Sequence, residues 1–421
     1  MLRGLTWGMA LLLLGASAHA AIDVGSDGSD GALNVTTNTE IDLSQAVTAP
    51  WNTRSPQPGK GVYDPEKWAV VFKYTSVSIA AGATVTFKNH GSRAPVIWLV
   101  QGDVTIDGAM RLDGAGGHRA GVAPTHAEAG PGGFLGGKGN RPEPFEDGSG
   151  GFGPGGAFWD DTWGAGGSYA TLGGRHQGVR GTPGPTYGNA SLVPLIGGSG
   201  GAGGRFAGAN AGGGGAGGGA ILIAANQMVL LRSAARISAD GGMGGAADSW
   251  GGGGSGGGIR LLADVVSITG NVTLRAAGGT GIYEANGGLG RIRIEGNTIS
   301  ASESVPPATS GTPGPVFPMS ESPKLRLVSL AGQPVPADLR GGFFSPNVDM
   351  TIGTHETVAL QIEATNMDPA STVTVRVGLR NGPPFTSPAT LVGGHYQLST
   401  WRAEFALPHG MYAIQVMAKL P

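Results

Sequence analysis

The sequence predicts an all-β protein: a glycine-rich parallel β-solenoid, β-helix-like, followed by an immunoglobulin-like β-sandwich. Three observations predict it. Glycine supplies 81 of 421 residues, about 19%, against a usual share of about 7%, and 60 of the 81 fall between residues 101 and 300. Within that span a unit of apolar-x-apolar triplets recurs. Beyond residue 323 glycine becomes ordinary, and apolar residues alternate at period two between turn signals.

Residues 1–20, MLRGLTWGMALLLLGASAHA, read as a secretory signal peptide. Arg3 gives the positive start, Met9–Leu14 the apolar run and Ala18-His19-Ala20 the small-residue cleavage site. The run is too short to span a bilayer, and no later stretch is long and apolar enough to do so. A secreted or cell-surface location follows as the expectation. The chain has no cysteine. That excludes disulfides, thiolate metal sites and a cysteine nucleophile, and leaves a secreted chain to be held by backbone pairing and packing. Charged residues are only 13% and the formal net charge is −2, so no basic surplus invites nucleic acid or an anionic membrane.

Residues 21–76 lead into the repeats. DVGSDGSDG, residues 23–31, sets Asp23, Asp27 and Asp30 among glycines. Calcium loops space their carboxylates more tightly and close on an acidic residue, so this stretch reads as a solvated arm.

The solenoid is expected over residues 77–300. IWLVQGDVTIDGAMRLDGAGG, residues 97–117, and IRLLADVVSITGNVTLRAAGG, residues 259–279, align without a gap. Ile97, Leu99, Val104, Ile106, Met110 and Leu112 match Ile259, Leu261, Val266, Ile268, Val272 and Leu274. Residues 221–242 fit with one extra residue, through Ile221, Ile223, Met228, Leu230, Ala235 and Ile237. Partial copies lie at 77–87 and 291–300. Period two means strands with one face inward, and the outward positions Thr105, Arg111, Arg260, Ser267 and Thr273 are polar. One such unit cannot bury its inner face alone, whereas stacked units share a continuous core. The competing architecture is a set of hairpins in a sandwich or barrel.

Long insertions at 118–216, 243–258 and 280–290 each follow a unit's closing Gly-Gly, so stacking sends all three from one edge. Runs such as Gly212–Gly219 and Gly251–Gly258 exceed what corners need. They are either flexible linkers or extended three-per-turn helices that pack closely because side chains are missing. Residues 301–323 are rich in Pro and Ser, a linker signature. Residues 324–421 hold LRLVSL, VALQIEAT, TVTVRVGL, WRAEFAL and MYAIQVMA, the spacing of a sandwich domain that lacks the Cys–Trp–Cys hallmark.

Candidate chemistry concentrates in the long insertion. GGAFWDDTWGAGG, residues 155–167, puts Asp160 and Asp161 between Trp159 and Trp163. Aromatic faces stack on sugar rings while carboxylates bond hydroxyls, so these four residues are the candidate carbohydrate-binding set. Two carboxylates can also serve as acid and base in glycoside cleavage. Adjacent residues on an extended chain point to opposite sides, however, and glycine neighbours supply no rigid support. Aromatics that merely pin the loop are the plainer reading. Asp103, Asp107 and Asp113 surround one coil and read as turn formers. His118, His126 and Glu128 share a glycine-rich stretch without helical spacing, which argues against a metal cluster. His176 lies near Arg175 and Arg180 and reads as solvated. No catalytic residue, metal ligand or cofactor motif stands out.

The signal, the SDGSDGALN start, PVIWLVQGDVTIDG, the GGGGSGGGIRLLA unit and the sandwich-like tail together resemble a group of glycine-rich secreted bacterial proteins of uncharacterised activity. The solenoid is more loosely similar to parallel β-helix proteins, among them adhesins and polysaccharide lyases. The clustered acids and catalytic basic residue of the lyases match no set in this chain, so the resemblance carries over no functional residue.

The expectation is therefore a non-enzymatic extracellular structural or adhesive surface protein. Its partners would be extracellular polysaccharide or cell-surface proteins. The alternative is a carbohydrate-binding or polysaccharide-cleaving β-helix protein.

Overall fold

The computed structural model describes residues 22–119, 125–141, 145–160, 162–178, 180–205, 210–246, 250–301, 303–339, 348–353, 357–407 and 409–421. Residues 1–20, read above as a signal, lie outside them. The described chain is almost wholly β and coil, with two single 3-10 turns at Leu43–Gln45 and Ile282–Glu284 and no α-helix among the described residues.

Strands gather in three stacks of parallel neighbours. The first holds the leading half of Ala69–Ile79, then Val96–Val100, Ala220–Ala225, Gly258–Leu262, Arg291–Glu295 and Thr309–Gly311. The second holds Gly31–Val35, the trailing half of Ala69–Ile79, Val104–Ile106, Met228–Leu231, Val265–Ile268 and Thr298–Ser300. Thr39–Asp42, Thr84–Lys88, Ala109–Arg111, Arg236–Ser238, Thr273–Arg275 and Ser304–Val305 form the third. The chain visits the three stacks in turn and then returns to the first, so the parallel sheets curl about one core. Trp98, Phe72, Ile79, Met110, Ile223 and Leu261 are among its fully buried members. Tyr74 meets the Trp98 ring edge-on at 5.7 Å.

The repeat alignment needs two corrections of one residue and one of two. Ile221 pairs with both Val96 and Ile259, so Val96 and Trp98, not Ile97 and Leu99, match Ile259 and Leu261. In the second stack Val229 and Leu231 face inward in place of Met228 and Leu230. In the third, Met110, Ile237 and Leu274 share a level. The cause of the first slip is physical. A strand buried on both faces carries no period-two signal, and the first stack is such a sheet. Its outer face, with Ile97, Leu99 and Leu222, packs on Tyr169, Leu192, Leu195 and Val24. Further along this face Glu295 and the segment at Gly314 cover Arg260, expected outside, which is 1% exposed. Asp30 is likewise no solvated arm residue: it is buried and accepts from the Gly59, Gly61 and Lys73 N–H groups.

Each of the three insertions leaves a third-stack strand and returns to a first-stack strand. Of the two readings of the glycine runs, the structure has the packed one. The N–H groups of Gly213, Ala216 and Gly219 donate to the carbonyls of His118, Ala115 and Leu112. Those of Ala211, Gly214 and Gly217 donate to Asn140, Gly137 and Phe134, and those of Gly215 and Gly218 to Gly252 and Ser255. Every third residue thus turns to the same neighbouring run, which is the period of a polyproline II helix. Such a helix has no internal hydrogen bonds, so each run must bond its neighbours to bury its backbone. A Cβ on Gly215, Gly217 or Gly257 would sit inside the carbonyl oxygen of Gly242, Gly198 or Gly219, and glycine is required there. The small side chains that do occur meet one another, as Ala157, Ala165 and Ala202 do.

The C-terminal region is an antiparallel, sandwich-like sheet of Lys324–Leu330, Gln333–Pro334, Thr357–Thr365, Thr372–Leu379, Phe385–His395, Leu398–Ala406 and Tyr412–Lys419. Phe385–His395 pairs with Thr372–Leu379 along its first half and with Leu398–Ala406 along its second. Val358, Ile362, Val375, Trp401 and Phe405 fill its core. It docks on the glycine body: Gly382 N–H donates to the Gly148 carbonyl at 2.7 Å, and the buried Arg376 Nη2 to the Gly151 carbonyl at 3.0 Å.

Candidate contact tip of the glycine body

Direction of the runs places the candidate residues. Run 112–118 heads away from the strands and run 211–219 comes back antiparallel to it. Runs 239–245 and 251–257 form a second such pair, since Gly251, Gly254 and Gly257 donate to Gly245, Gly242 and Ala239. Runs 198–204 and 212–218 form a third. Arg119, Arg205, Ala246 and Trp250, which end these runs, therefore share the end of the body farthest from the strands.

The predicted Trp loop lies at that end. Trp159–Asp160 pairs with Trp163–Gly164 as a small antiparallel hairpin. Gly164 N–H bonds the Trp250 carbonyl at 3.2 Å, and Arg205 N–H bonds the Thr162 carbonyl at 2.8 Å. Asp160 takes part through its backbone, and Asp161 lies outside the described residues.

Two aromatic groupings result. Trp163 stacks on His176 with centroids 4.2 Å apart and planes at 15°. Tyr283 meets His176 at 4.9 Å, edge-on. Tyr283 is 58% exposed, on a turn where both Tyr283 and Glu284 have positive φ, 49° and 73°. Left-handed backbone at two successive non-glycine residues costs energy, and here it holds an aromatic ring out of the molecule. In the second grouping the Arg205 guanidinium lies 5.3 Å from the Trp159 ring centre and pairs with Asp147 at 2.8 Å.

His176 is buried, not solvated. Burial, and after it the Arg180 charge, pushes its pKa below the usual value, so its imidazole is neutral at pH 7. Neither ring nitrogen of His176, nor Nε1 of Trp159, has a hydrogen-bond partner. Satisfying them takes an ordered water or a ligand hydroxyl. The arrangement offers flat apolar rings, with the unpaired polar nitrogens buried behind them. Tyr283 and Arg205 escaped the sequence reading, and His176 was read there only as a solvated residue, because glycine stretches separate them from the Trp loop and no spacing rule joins them.

The remaining candidates are structural. Asp107 pairs with Arg232 at 2.8 Å. Asp113 accepts from Asp240 N–H at 2.8 Å, and Asp240 in turn from Ala277 N–H at 2.8 Å, so each ties its repeat to the next. Glu128 forms a forked pair with Arg93. His118 accepts from Gly139 N–H at 3.0 Å. No group of three metal-ligating side chains occurs among the described residues. A cavity of about 630 Å³ opens where the sandwich meets the glycine body, between Trp68, Phe134, Phe152, Leu330 and Tyr412. Asp349 is the one carboxylate among its described lining residues.

Comparison with family models, with curated proteins and with solved structures gave no match.

Proposed function

We propose that this is a non-enzymatic extracellular adhesive or structural protein whose glycine body presents a recognition tip. In this reading the three stacks are the faces of a β-solenoid, the solenoid is a rigid spacer, and the C-terminal sheet is an immunoglobulin-like sandwich. The observation that carries the reading is the three-residue hydrogen-bond period of the runs. A body bonded in that way does not flex like a glycine linker. It fixes loop ends from distant parts of the chain side by side, which is what a contact surface needs. Export is supported by the signal pattern of residues 1–20.

A second reading, carbohydrate binding at the tip, is favoured by Trp159, Trp163 and the outward-held Tyr283 beside three unpartnered ring nitrogens. Sugar rings stack through their CH faces and bond through hydroxyls. The test is a glycan array and an insoluble-polysaccharide pull-down with residues 21–421 beside the Trp159→Ala/Trp163→Ala double variant. Binding that the double variant loses supports the carbohydrate reading. A folded protein that binds no glycan leaves protein partners as the targets of the tip. Cleavage of the bound glycan would overturn the non-enzymatic reading.

A further inference from the structure

Residues 391–398, Leu-Val-Gly-Gly-His-Tyr-Gln-Leu, end the hairpin that joins Phe385–His395 to Leu398–Ala406, and all eight are exposed. Leu391 is 41% exposed, Val392 64%, Tyr396 51% and Leu398 49%. Leu391 lies opposite Trp401, whose ring is buried, so it sits on the core-facing side of the sheet. Leu398 pairs with His395 on the other side. A bulge at Val392 turns the strand between them, and a Cβ on Gly393 would touch nothing. The hairpin end is thus exposed with large apolar groups on both faces, tied at its turn by the Met367 N–H bond to the Tyr396 carbonyl at 3.0 Å. No Asp, Glu, Lys or Arg occurs from Thr386 to Trp401.

We propose that this hairpin end inserts into the interfacial layer of an electrically neutral lipid surface. Apolar side chains on both faces of a thin projection must be surrounded to be desolvated, and a bilayer interface surrounds what enters it. A second copy or another protein covers one face and needs roughly 20–30 residues a side for a stable interface; eight residues fall far short. Tyr396, with an apolar ring and a polar tip, suits the headgroup level. The lack of basic residues removes the attraction that anionic lipid exerts. Entry stops at the interface, because the outward N–H and C=O groups of a two-stranded hairpin need water. No helix among the described residues is long and apolar enough to cross a membrane.

The cysteine-free sequence permits a clean test. Val392→Cys is labelled with a polarity-sensitive fluorophore, and Lys60→Cys, exposed on the N-terminal segment, serves as the control. Phosphatidylcholine vesicles are the probe. A blue-shifted emission at 392 and not at 60 is expected, with co-sedimentation of the unlabelled chain. Val392→Asp/Leu398→Asp should lower the partition at least about tenfold while thermal melting stays unchanged, since both sites are exposed. An unshifted emission overturns the proposal. So does co-sedimentation that ignores the double substitution, or that requires phosphatidylglycerol in the vesicles. Self-association without vesicles that the double variant abolishes also overturns it, and assigns the hairpin to a second copy.

Discussion

Arg260 Nη2 and Glu295 Oε2 meet 2.7 Å apart on the outer face of the first stack, where the two side chains are 1% and 2% exposed. Arg260 stands in register with Leu222 and, through it, Ile97. A row that is apolar in the earlier strands of the stack becomes ionic where residues 301–323 cross it: Gly314 N–H bonds Glu295 at 3.0 Å and Arg293 Nε bonds it at 3.0 Å. Burial raises the Glu295 pKa, but the bonds from Arg260, Arg293 and Gly314 outweigh it and hold the carboxyl below its usual range.

Breaking one side of this pair should destabilise the chain strongly. Glu295→Ala leaves a buried guanidinium uncompensated, a loss of about 3–5 kcal/mol. Arg260→Leu/Glu295→Leu restores the apolar row and should recover most of it. Urea unfolding of the three proteins decides the point; equal losses in the single and the double variants would refute a pair-specific cost.

The glycine body makes a sharper prediction, because close approach varies along it. Gly257→Ala drives a Cβ into the Gly219 carbonyl, whereas the nearest atom to a Cβ on Gly116 is the Met243 oxygen at 3.5 Å. The first should cost about 3 kcal/mol or more, the upper end of overpacking. The second should change stability by less than about 0.5 kcal/mol. Similar melting temperatures for the two variants would mean that the runs do not pack through their carbonyls.

Which parts of this architecture the sequence revealed follows from how many faces each element buries. The second and third stacks bury one face, so the Val104/Ile106 and Ile237 positions stand out by alternation. The first stack buries both, and alternation there chose Ile97 over Trp98. Arg260 looked external because its polarity is the ordinary mark of solvent, while the segment that covers it is far away in sequence. The hairpin strand Phe385–His395 went unrecognised since its outer half is Gly-rich and apolar on both faces. The tip assembled from residues 159, 163, 176, 205 and 283 depends on the run-to-run hydrogen bonds, which leave no trace in residue type beyond glycine itself.

His126 should make the fold acid-sensitive. Burial, chiefly, with the charges of Lys138, Arg380 and His118 added, pushes its pKa down to about 4, although its bond to the Gly136 carbonyl works the other way. The unfolded chain titrates this group near 6.5. Above that pH both states are neutral and the residue has no effect; as pH falls toward 4 the unfolded state takes the proton first, and stability is lost. The difference amounts to about 3 kcal/mol. Glu295 acts in the same direction at lower pH, its contribution being present above the ordinary carboxylate range and lost as pH drops through its depressed folded value. His126→Gln should therefore lose less unfolding free energy than the parent between pH 6.5 and 4. Parallel pH profiles would show that His126 is not buried as described.

Among the polar contacts that dock the C-terminal sheet are the Gly382–Gly148 bond and the bond from buried Arg376 to the Gly151 carbonyl. The strand neighbours Val375 and Val377 point into the sandwich core, so Arg376 points out, toward the glycine body, and Phe152 packs beside Gly378 on the same strand. Burial lowers the Arg376 pKa to about 10, which still leaves it charged at neutral pH. Arg376→Met keeps the apolar stem but leaves the Gly151 carbonyl without its donor, a cost of about 1–3 kcal/mol that falls on docking and not on the sandwich core. Calorimetry should show one cooperative transition in the parent and a separated, lower transition for the C-terminal sheet in the variant. Limited proteolysis within residues 303–323 should quicken in parallel. A variant that still melts as one unit would place the coupling in the Gly148–Gly382 bond and the Phe152 contact instead.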